Sequence, residues 1–250
     1  MKIVATKPKM LTDAHLHYCP GCTHGIVHKL IAEVLEELGK TDNAIGIMPV
    51  GCAVFGYNYF NCDMFQAAHG RAPAVSSGVR RVVDPENIIF CYQGDGDLAS
   101  IGMAETVHAC MRGENITVIF INNGIYGMTG GQMAPTTMPG EKATTCIYGR
   151  DPKVYGNPVH MSEMLATLTG PAYIERVACF DVPHVRKAKA AIKKAFQIQM
   201  EKKGLSFIEI LANCPTNYHM TPLESMEFVK TKGCEFYPLG VYKDITKEEN

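Results

Sequence analysis

The sequence predicts an α/β fold built on a doubly wound, mainly parallel sheet. Short apolar runs alternate with segments of helical periodicity, and no repeat, low-complexity tract or linker interrupts them. We therefore expect residues 1–250 to form a single domain, with an extended C-terminal tail from about residue 215. Ligands of such sheets bind beyond the carboxyl ends of the strands. Polar residues that directly follow an apolar run are thus the candidates for function.

Each element follows from its local pattern. Apolar residues recur at helical spacing over 24–38, and Gly39 ends that helix. Further helices are predicted at 72–83, 98–111, 162–169 and 184–203. Strands are predicted at 44–48, 87–92, 116–121, 172–178 and 206–211, and the runs at 44–48 and 87–92 are typical of buried strands. Residues 124–160 are rich in Gly, Pro, Thr and Tyr without periodicity, which is typical of a functional loop.

Composition and charge exclude several classes of function. The formal net charge of −1 gives no indication of a nucleic-acid or anionic-membrane partner. No apolar run approaches the roughly 18 residues of a membrane span. The basic N-terminal segment lacks the continuous apolar core of a signal peptide, so we expect a cytoplasmic protein.

Ten cysteines in a reducing compartment are not expected to form a disulfide framework. Cys91, Cys110 and Cys179 lie inside apolar stretches and are predicted to be core residues. A different group of cysteines lies beside Gly and Pro at the ends of predicted helices and strands, and this placement indicates a functional role.

Two strand ends carry the residue types of a metal and diphosphate site. The run IIFCYQ is followed by Gly94-Asp95-Gly96-Asp97, and the run ITVIFI by Asn122-Asn123-Gly124-Ile125. Glycine lets the backbone approach a phosphate closely, and carboxylate, amide and carbonyl oxygens are the ligands that Mg²⁺ prefers. Either motif alone can be a turn or a helix cap. Their pairing across 30 residues, each after a buried strand, favours the metal site.

Four other cysteines are candidates for a metal centre. Cys19 and Cys22 form a C-x-x-C pair before the first helix, Cys52 follows Gly51, and Cys214 precedes Pro215. Four thiolates from three segments can bind Zn²⁺ or a [4Fe–4S] cluster. A redox C-x-x-C motif is a further alternative, although it leaves Cys52 and Cys214 unexplained. Simple burial in the core is another. The spacing favours the cluster, since zinc ribbons usually use two close pairs.

Several motifs together resemble a known family. The GDG–NN pair is similar to the motif of thiamine-diphosphate enzymes. Over about residues 15–222, the chain resembles the β subunit of 2-oxoacid:ferredoxin oxidoreductases in the segments CPGCTHG, IMPVGC, AAHGRAPAVSSGVRR, GDGDLASIG, MTGGQMAPTT and LANCPTNYHM. The resemblance implies a thiamine-diphosphate-binding fold of the pyrophosphate-binding type.

The resemblance also implies site residues. Mg²⁺ would be bound by the side chains of Asp95 and Asn123 and by the carbonyl of Ile125. A [4Fe–4S] cluster would be bound by Cys19, Cys22, Cys52 and Cys214. The expected contacts of thiamine diphosphate are His24, Gly51, His69, Arg71, Gly94, Asp95, Gly96, Asp97 and Thr129. Taken by itself, His24 could equally be a buried polar residue with no such role.

The implied activity is oxidative decarboxylation of a 2-oxoacid to acyl-CoA and CO₂, with electrons passed through the cluster to ferredoxin. The family places the glutamate that activates the cofactor on a pyrimidine-binding α subunit, so no catalytic residue is assigned in this chain. We therefore expect the chain to be inactive alone. Small γ and ferredoxin-like δ subunits, ferredoxin, coenzyme A and the 2-oxoacid are the other expected partners.

The segment 53–60 after Cys52 suggests the substrate. It is apolar and aromatic, without a cation, whereas relatives that accept 2-oxoglutarate can place a basic residue there. An unpaired distal carboxylate beside Phe55 would cost several kcal/mol, which favours a branched-chain acid such as 3-methyl-2-oxobutanoate. The alternatives are 2-oxoglutarate or pyruvate, with Phe55 and Tyr57 packing against a partner.

Two other classes of protein remain as alternatives: a non-catalytic iron–sulfur electron-transfer subunit and a thiamine enzyme without redox chemistry.

Overall fold

The computed structural model describes residues 6–247 of the chain. Residues 1–5, where the segment considered for a signal peptide begins, lie outside the described residues, as do residues 248–250 of the predicted tail. The strands in the described part are β1 (Ala44–Met48), β2 (Asp63–Gln66), β3 (Ile88–Gly94), β4 (Thr117–Asn122), β5 (Ile125–Tyr126), β6 (Gln132–Met133), β7 (Pro171–Ala178), β8 (Leu205–Leu211) and β9 (Gly240–Asp244).

Seven of these strands form one sheet in the order β2-β1-β3-β4-β8-β7-β9. All neighbours are parallel except β9, which pairs antiparallel with β7. The predicted doubly wound, mainly parallel sheet is therefore confirmed. The chain leaves β1 toward β2 and later returns to place β3 on the other side of β1. This reversal creates a crevice at the carboxyl ends of β1 and β3, which is where such folds bind ligands.

Helices cover both faces of the sheet. They are α1 (His24–Glu37), α2 (Ala72–Val82), α3 (Met103–Met111), α4 (Pro152–Tyr155), α5 (Met161–Ala166), α6 (Val182–Met200), α7 (Pro215–Tyr218), α8 (Pro222–Phe228) and α9 (Cys234–Phe236). Helices α1 and α6 pack on one face, and α2, α3 and α5 on the other. In β3, Phe90 and Tyr92 enter the first core while Ile89 and Cys91 enter the second. Such two-sided burial explains the uninterrupted apolar runs.

The predicted core cysteines and the main elements are confirmed. Cys91, Cys110 and Cys179 are buried. Along residues 6–247, no helix combines the length and apolar character that a membrane span requires.

Three features differ from the sequence expectation. Strands β2 and β9 were not predicted, because both are short edge strands with exposed or half-buried residues. The helix expected from residue 98 begins with a π-helical turn, Asp97–Ile101. The segment after residue 215, expected to be extended, folds instead into α7, α8 and α9 before β9 joins the sheet. Its capping box at Thr221 and Glu224 fixes the start of α8.

A buried ion pair connects the sheet to the C-terminal segment. Arg176 and Glu209 are both fully buried, and Arg176 Nε lies 2.9 Å from Glu209 Oε2. Glu209 Oε1 accepts a hydrogen bond of 2.7 Å from Asn122 Nδ2 at the end of β4. Arg176 also donates to the carbonyl of Pro238, at 3.1 Å, just before β9. These contacts join β4, β8, β7 and β9 through one polar network.

Substitution Arg176→Leu should lower the free energy of unfolding by about 3–5 kcal/mol, because it leaves the Glu209 carboxylate buried without a counter-charge. The double variant Arg176→Leu/Glu209→Gln should recover much of that loss. Urea unfolding curves provide the measurement, and the exposed Arg186→Leu is the matched control, with an expected change within about 0.5 kcal/mol. Equal stabilities for Arg176→Leu and Arg186→Leu would contradict this assignment.

Candidate cofactor and metal site

A cleft of about 170 Å³ opens at the carboxyl ends of β1, β3 and β4. Its wall is formed by the segments that follow these strands. The lining residues are His24, Pro49, Val50, Gly51, Cys52, Ala53, His69, Gly94, Asp95, Gly96, Asp97, Asn123, Ile125, Tyr126, Gly127, Met128 and Thr129. Most of the sequence-predicted cofactor residues therefore meet in one place, at the switch point of the sheet.

Asp95 lies at the centre of the candidate metal site. Its side chain is buried, and its Oδ2 accepts hydrogen bonds from the main-chain N–H of Asn123 at 3.1 Å and from Thr136 Oγ1 at 3.0 Å. Burial raises the pKa of Asp95 to about 6, against the opposing effect of hydrogen bonds from Thr136, Gly96 and Asn123. A desolvated carboxylate of this kind is well suited to a divalent cation.

Asn123 is adjacent to Asp95, as the GDG–NN spacing predicts. Its Oδ1 accepts a hydrogen bond of 3.2 Å from the main-chain N–H of Ile125, which folds the turn after β4. Its carbonyl oxygen accepts a hydrogen bond of 2.6 Å from Tyr218 Oη. The turn is thus held from both sides, and Asn123 and Ile125 both line the cleft.

Asp97 joins three segments of the cleft wall. Its Oδ2 accepts from Gln93 Nε2 at 2.5 Å, and its Oδ1 accepts from the main-chain N–H of Gly70 at 2.9 Å and of Val50 at 3.3 Å. The His69 Nδ1 also contacts this carboxylate. Asp97 therefore fixes the loops after β1 and β2 against β3, a role that the sequence did not reveal.

The glycines of the cleft leave space beside the backbone. A Cβ atom on Gly94 or Gly51 would meet no other atom of the chain within 4 Å, and Gly51 has a φ of +132°. Gly96 is required for a different reason, since its Cβ would lie 2.4 Å from the Tyr126 ring. Open backbone at two wall positions provides room for a phosphate group to approach.

Three predicted cofactor residues have environments that limit their roles. His24 is buried and hydrogen-bonded through Nδ1 to Tyr92 Oη at 2.7 Å, and burial lowers its pKa to about 3. It is therefore a neutral ring on the cleft wall, not a cation. Arg71 does not line the cleft; its guanidinium pairs with Glu105. The expected contact between Arg71 and the cofactor therefore stays a prediction. Thr129 lines the cleft at its exposed rim.

The four selected cysteines converge beside the cleft. A Cβ on Gly127 would lie 3.0 Å from Cys52 Sγ and 3.6 Å from Cys214 Sγ, so the cleft wall passes directly over two sulfurs. Cys22 and Cys19 form a tight turn, with Cys22 N donating to Cys19 O at 3.0 Å. The Cys22 thiol is close enough to the thiols of Cys19 and Cys214 for charges on them to interact, and Cys214 is similarly close to Cys19. The Cys52 thiol is close to the other three in the same sense.

Burial raises the pKa of Cys22 to about 11 and that of Cys52 to about 12. Within residues 6–247, no three His, Cys, Asp or Glu side chains are arranged to share one metal ion. A tetrahedral zinc site needs sulfurs about 2.3 Å from a single ion. Four thiolates are also the donor set of a [4Fe–4S] cluster, in which each iron is bound by one thiolate.

Several residues at the site carry no recognisable sequence signal. Thr136 and Tyr218 bind Asp95 and the Asn123 carbonyl from the loop after β6 and from α7, respectively. Asn213 links the cysteine segments, since its Nδ2 donates to Gly21 O at 3.0 Å. Glu141 is a buried carboxyl whose pKa burial raises to about 8. Such residues are identified only by the tertiary structure, because their partners are remote in sequence.

Comparison with known proteins agrees with this architecture. A family model described as "Thiamine pyrophosphate enzyme, C-terminal TPP binding domain" matches residues 48–210. These residues include the strands β3 and β4 and the segment after β1 that line the cleft. The fold and the cleft thus define a thiamine-diphosphate-binding protein.

More specific relatives are similar over nearly the whole chain. The ketoisovalerate oxidoreductase subunit VorA of Methanothermobacter thermautotrophicus is 50% identical over 232 residues, covering 93% of this chain and 48% of that protein. The 2-oxoglutarate synthase subunit KorB of Methanocaldococcus jannaschii is 36% identical over 238 residues, covering 93% of this chain and 82% of that protein. The chain therefore belongs to the family of 2-oxoacid:ferredoxin oxidoreductase subunits that includes these proteins.

A solved structure is also similar. It is that of the 2-oxoglutarate:ferredoxin oxidoreductase from Magnetococcus marinus with 2-oxoglutarate, coenzyme A and succinyl-CoA bound. Its TM-score is 0.76 at 26% identity, with 97% of this chain and 86% of that chain covered. The chain spans about half the length of the VorA relative.

Proposed function

We propose that this chain is the thiamine-diphosphate-binding β subunit of a 2-oxoacid:ferredoxin oxidoreductase that forms acyl-CoA. One observation carries the proposal: the candidate Mg²⁺ and diphosphate residues lie at the same edge of the sheet as the candidate cluster cysteines, with Cys52 lining the cleft and Cys52 and Cys214 beside Gly127. A substrate carbon activated in the cleft would therefore lie close to an electron acceptor. Residues 1–250 would act as one domain in this role.

The residues of the cleft fit thiamine diphosphate and Mg²⁺. The side chains of Asp95 and Asn123 and the Ile125 carbonyl would bind Mg²⁺, while Gly94 and Gly51 leave room for the diphosphate. When bound, the cofactor supplies an electron sink for the decarboxylation of a 2-oxoacid. The chain's own contribution is orientation. The buried Asp95 carboxylate is held by fixed donors and needs no rearrangement to meet the cation.

The remaining lining residues would orient the cofactor and exclude water. His69, fixed against Asp97, and Thr129 at the rim are the proposed polar contacts beside Gly96. The neutral His24 ring would contact the cofactor without adding charge. Tyr126 packs over Gly96 and narrows the entrance to the metal site.

The donor set of Cys19, Cys22, Cys52 and Cys214 fits a [4Fe–4S] cluster. When bound, such a cluster accepts electrons one at a time and passes them on. Cys19 is exposed whereas Cys214 is buried. The exposed side of the site is therefore the natural exit for electrons toward a further subunit or ferredoxin.

Partner chains are required by this proposal. None of the lining residues of the cleft is a glutamate, so the carboxylate that activates the cofactor would come from a pyrimidine-binding α subunit. Small γ and ferredoxin-like δ subunits and coenzyme A complete the proposed assembly.

We further propose a branched-chain substrate, 3-methyl-2-oxobutanoate. The segment after Cys52 forms a 3₁₀ helix, Val54–Asn58, that leaves the rings of Phe55 and Tyr57 partly exposed, at 39% and 37%. Phe55 packs edge-on against His17, with ring centroids 5.1 Å apart. The exposed ring surface suits an isopropyl group, and the VorA relative is named for ketoisovalerate. The KorB relatives make 2-oxoglutarate the competing candidate.

Anaerobic purification of the complex should give stoichiometric thiamine, iron and sulfide. Substitution Asp95→Asn should weaken thiamine diphosphate binding at least about tenfold, since losing a charged ligand exceeds the roughly 1.4 kcal/mol that this factor represents. Substitution Cys52→Ser should lower the iron content of the complex by about four atoms per chain, the content of one [4Fe–4S] cluster. Asp63→Asn and Cys62→Ser, which lie away from the cleft, are the matched controls. Iron without thiamine in the wild-type complex would indicate an electron-transfer subunit, and thiamine without iron a non-redox enzyme.

The purified complex should show a higher kcat/KM for 3-methyl-2-oxobutanoate than for 2-oxoglutarate, because the segment 53–60 contains no Lys or Arg to offset burial of a second carboxylate. Substitution Phe55→Arg should shift this ratio toward 2-oxoglutarate. Substitution Phe65→Arg is the control, because it adds the same charge at an exposed position of β2. A wild-type preference for 2-oxoglutarate would contradict the substrate proposal and leave the cofactor proposal intact.

A further inference from the structure

Asn217 connects the four-cysteine site to the cofactor cleft. Its side-chain Nδ2 lies 3.2 Å from Cys214 Sγ and 3.0 Å from the carbonyl oxygen of Gly127. A side-chain amide carries two N–H groups, so one nitrogen can donate to both acceptors at once. One acceptor belongs to a proposed cluster ligand and the other to the backbone that lines the cofactor cleft.

The position of Asn217 is fixed by its surroundings. The residue lies in α7, which begins directly after Cys214, and its half-buried side chain contacts the glycine-rich loop. A Cβ on Gly131 would lie 2.9 Å from Asn217 Oδ1, so the loop backbone approaches the amide as closely as a glycine permits. Gly131 also has a φ of +83°, a conformation that favours glycine.

Cys214 differs from the other three cysteines in its hydrogen bonding. Among residues 6–247, the Asn217 amide is the side chain that donates to one of the four sulfurs. The amide therefore stabilises negative charge on this sulfur.

We propose that Asn217 is a positioning residue that raises the reduction potential of the [4Fe–4S] cluster and couples the cluster to the cofactor loop through Gly127. The inference rests on the proposed function. An added electron increases the negative charge on the cluster sulfurs, so an N–H donor stabilises the reduced cluster more than the oxidised one. The reduced cluster forms when the substrate is oxidised, so the donor favours electron transfer out of the cleft.

The test is a spectroscopically monitored redox titration of the anaerobically purified complex. Asn217→Leu removes both N–H groups at similar volume, and the cluster potential should become more negative by on the order of 59 mV, which corresponds to a tenfold change in a one-electron equilibrium constant. Thiamine diphosphate affinity should also fall, because Gly127 loses its donor. Thr216→Val, an exposed position on the same helix, should change neither quantity.

Each outcome distinguishes the inference from the proposed function. An unshifted potential in an iron-replete Asn217→Leu complex overturns the role of Asn217 and leaves the proposed function standing. If the Asn217→Leu complex does not retain its cluster, Asn217→Ala removes the same donor with a smaller side chain. An unshifted cluster potential in that variant would then overturn the role of Asn217. Absence of a cluster on Cys19, Cys22, Cys52 and Cys214 in the wild-type complex would overturn the proposed function itself.

Discussion

The hydrogen bonds that hold the buried Asp95 carboxylate against the end of β4 are the constraint on which the site depends. The register of the sheet places Gly94 beside Ile121, two residues before Asn123. The main-chain N–H of Asn123 and the hydroxyl of Thr136 then bind Asp95 Oδ2. Two strand ends and the following loop are thereby fixed around one carboxylate. Without this contact, the turn after β4 would have no defined position relative to β3, and the oxygen atoms could not meet at a cation.

This constraint is supported from the interior and from the C-terminal segment. Glu209, paired with Arg176 in the core, binds the side chain of Asn122 directly before the turn. Tyr218 holds the carbonyl of Asn123 from α7, which begins at Cys214. The segment that carries Cys214 therefore also contacts the turn of the candidate metal site. These contacts link the position of Cys214 to that of the Asn123 turn.

The sequence was sufficient to predict the parallel sheet and the proximity of Asp95 to Asn123, because both rest on buried runs and on the residues that directly follow them. The assignment of four cysteines to one cluster stays a prediction. Other features depend on partners that are remote in sequence. Asp97 binds Val50 and Gly70, and Tyr218 binds Asn123, yet none of these pairs leaves a local signal. A role for Arg71 at the cofactor was expected from the family resemblance of the segment that also contains His69, and it stays a prediction. Its ion pair with Glu105 of α3 is a property of helix packing, which the motif does not encode.

Anomalous scattering at the iron edge, from crystals of the anaerobically purified complex, tests the central claim most directly. Iron density enclosed by the sulfurs of Cys19, Cys22, Cys52 and Cys214, on the far side of Gly127 from a cation at Asp95, is the result expected from the geometry described above. Iron bound by other cysteines such as Cys146 or Cys234, or a cation remote from Asp95, would contradict the account.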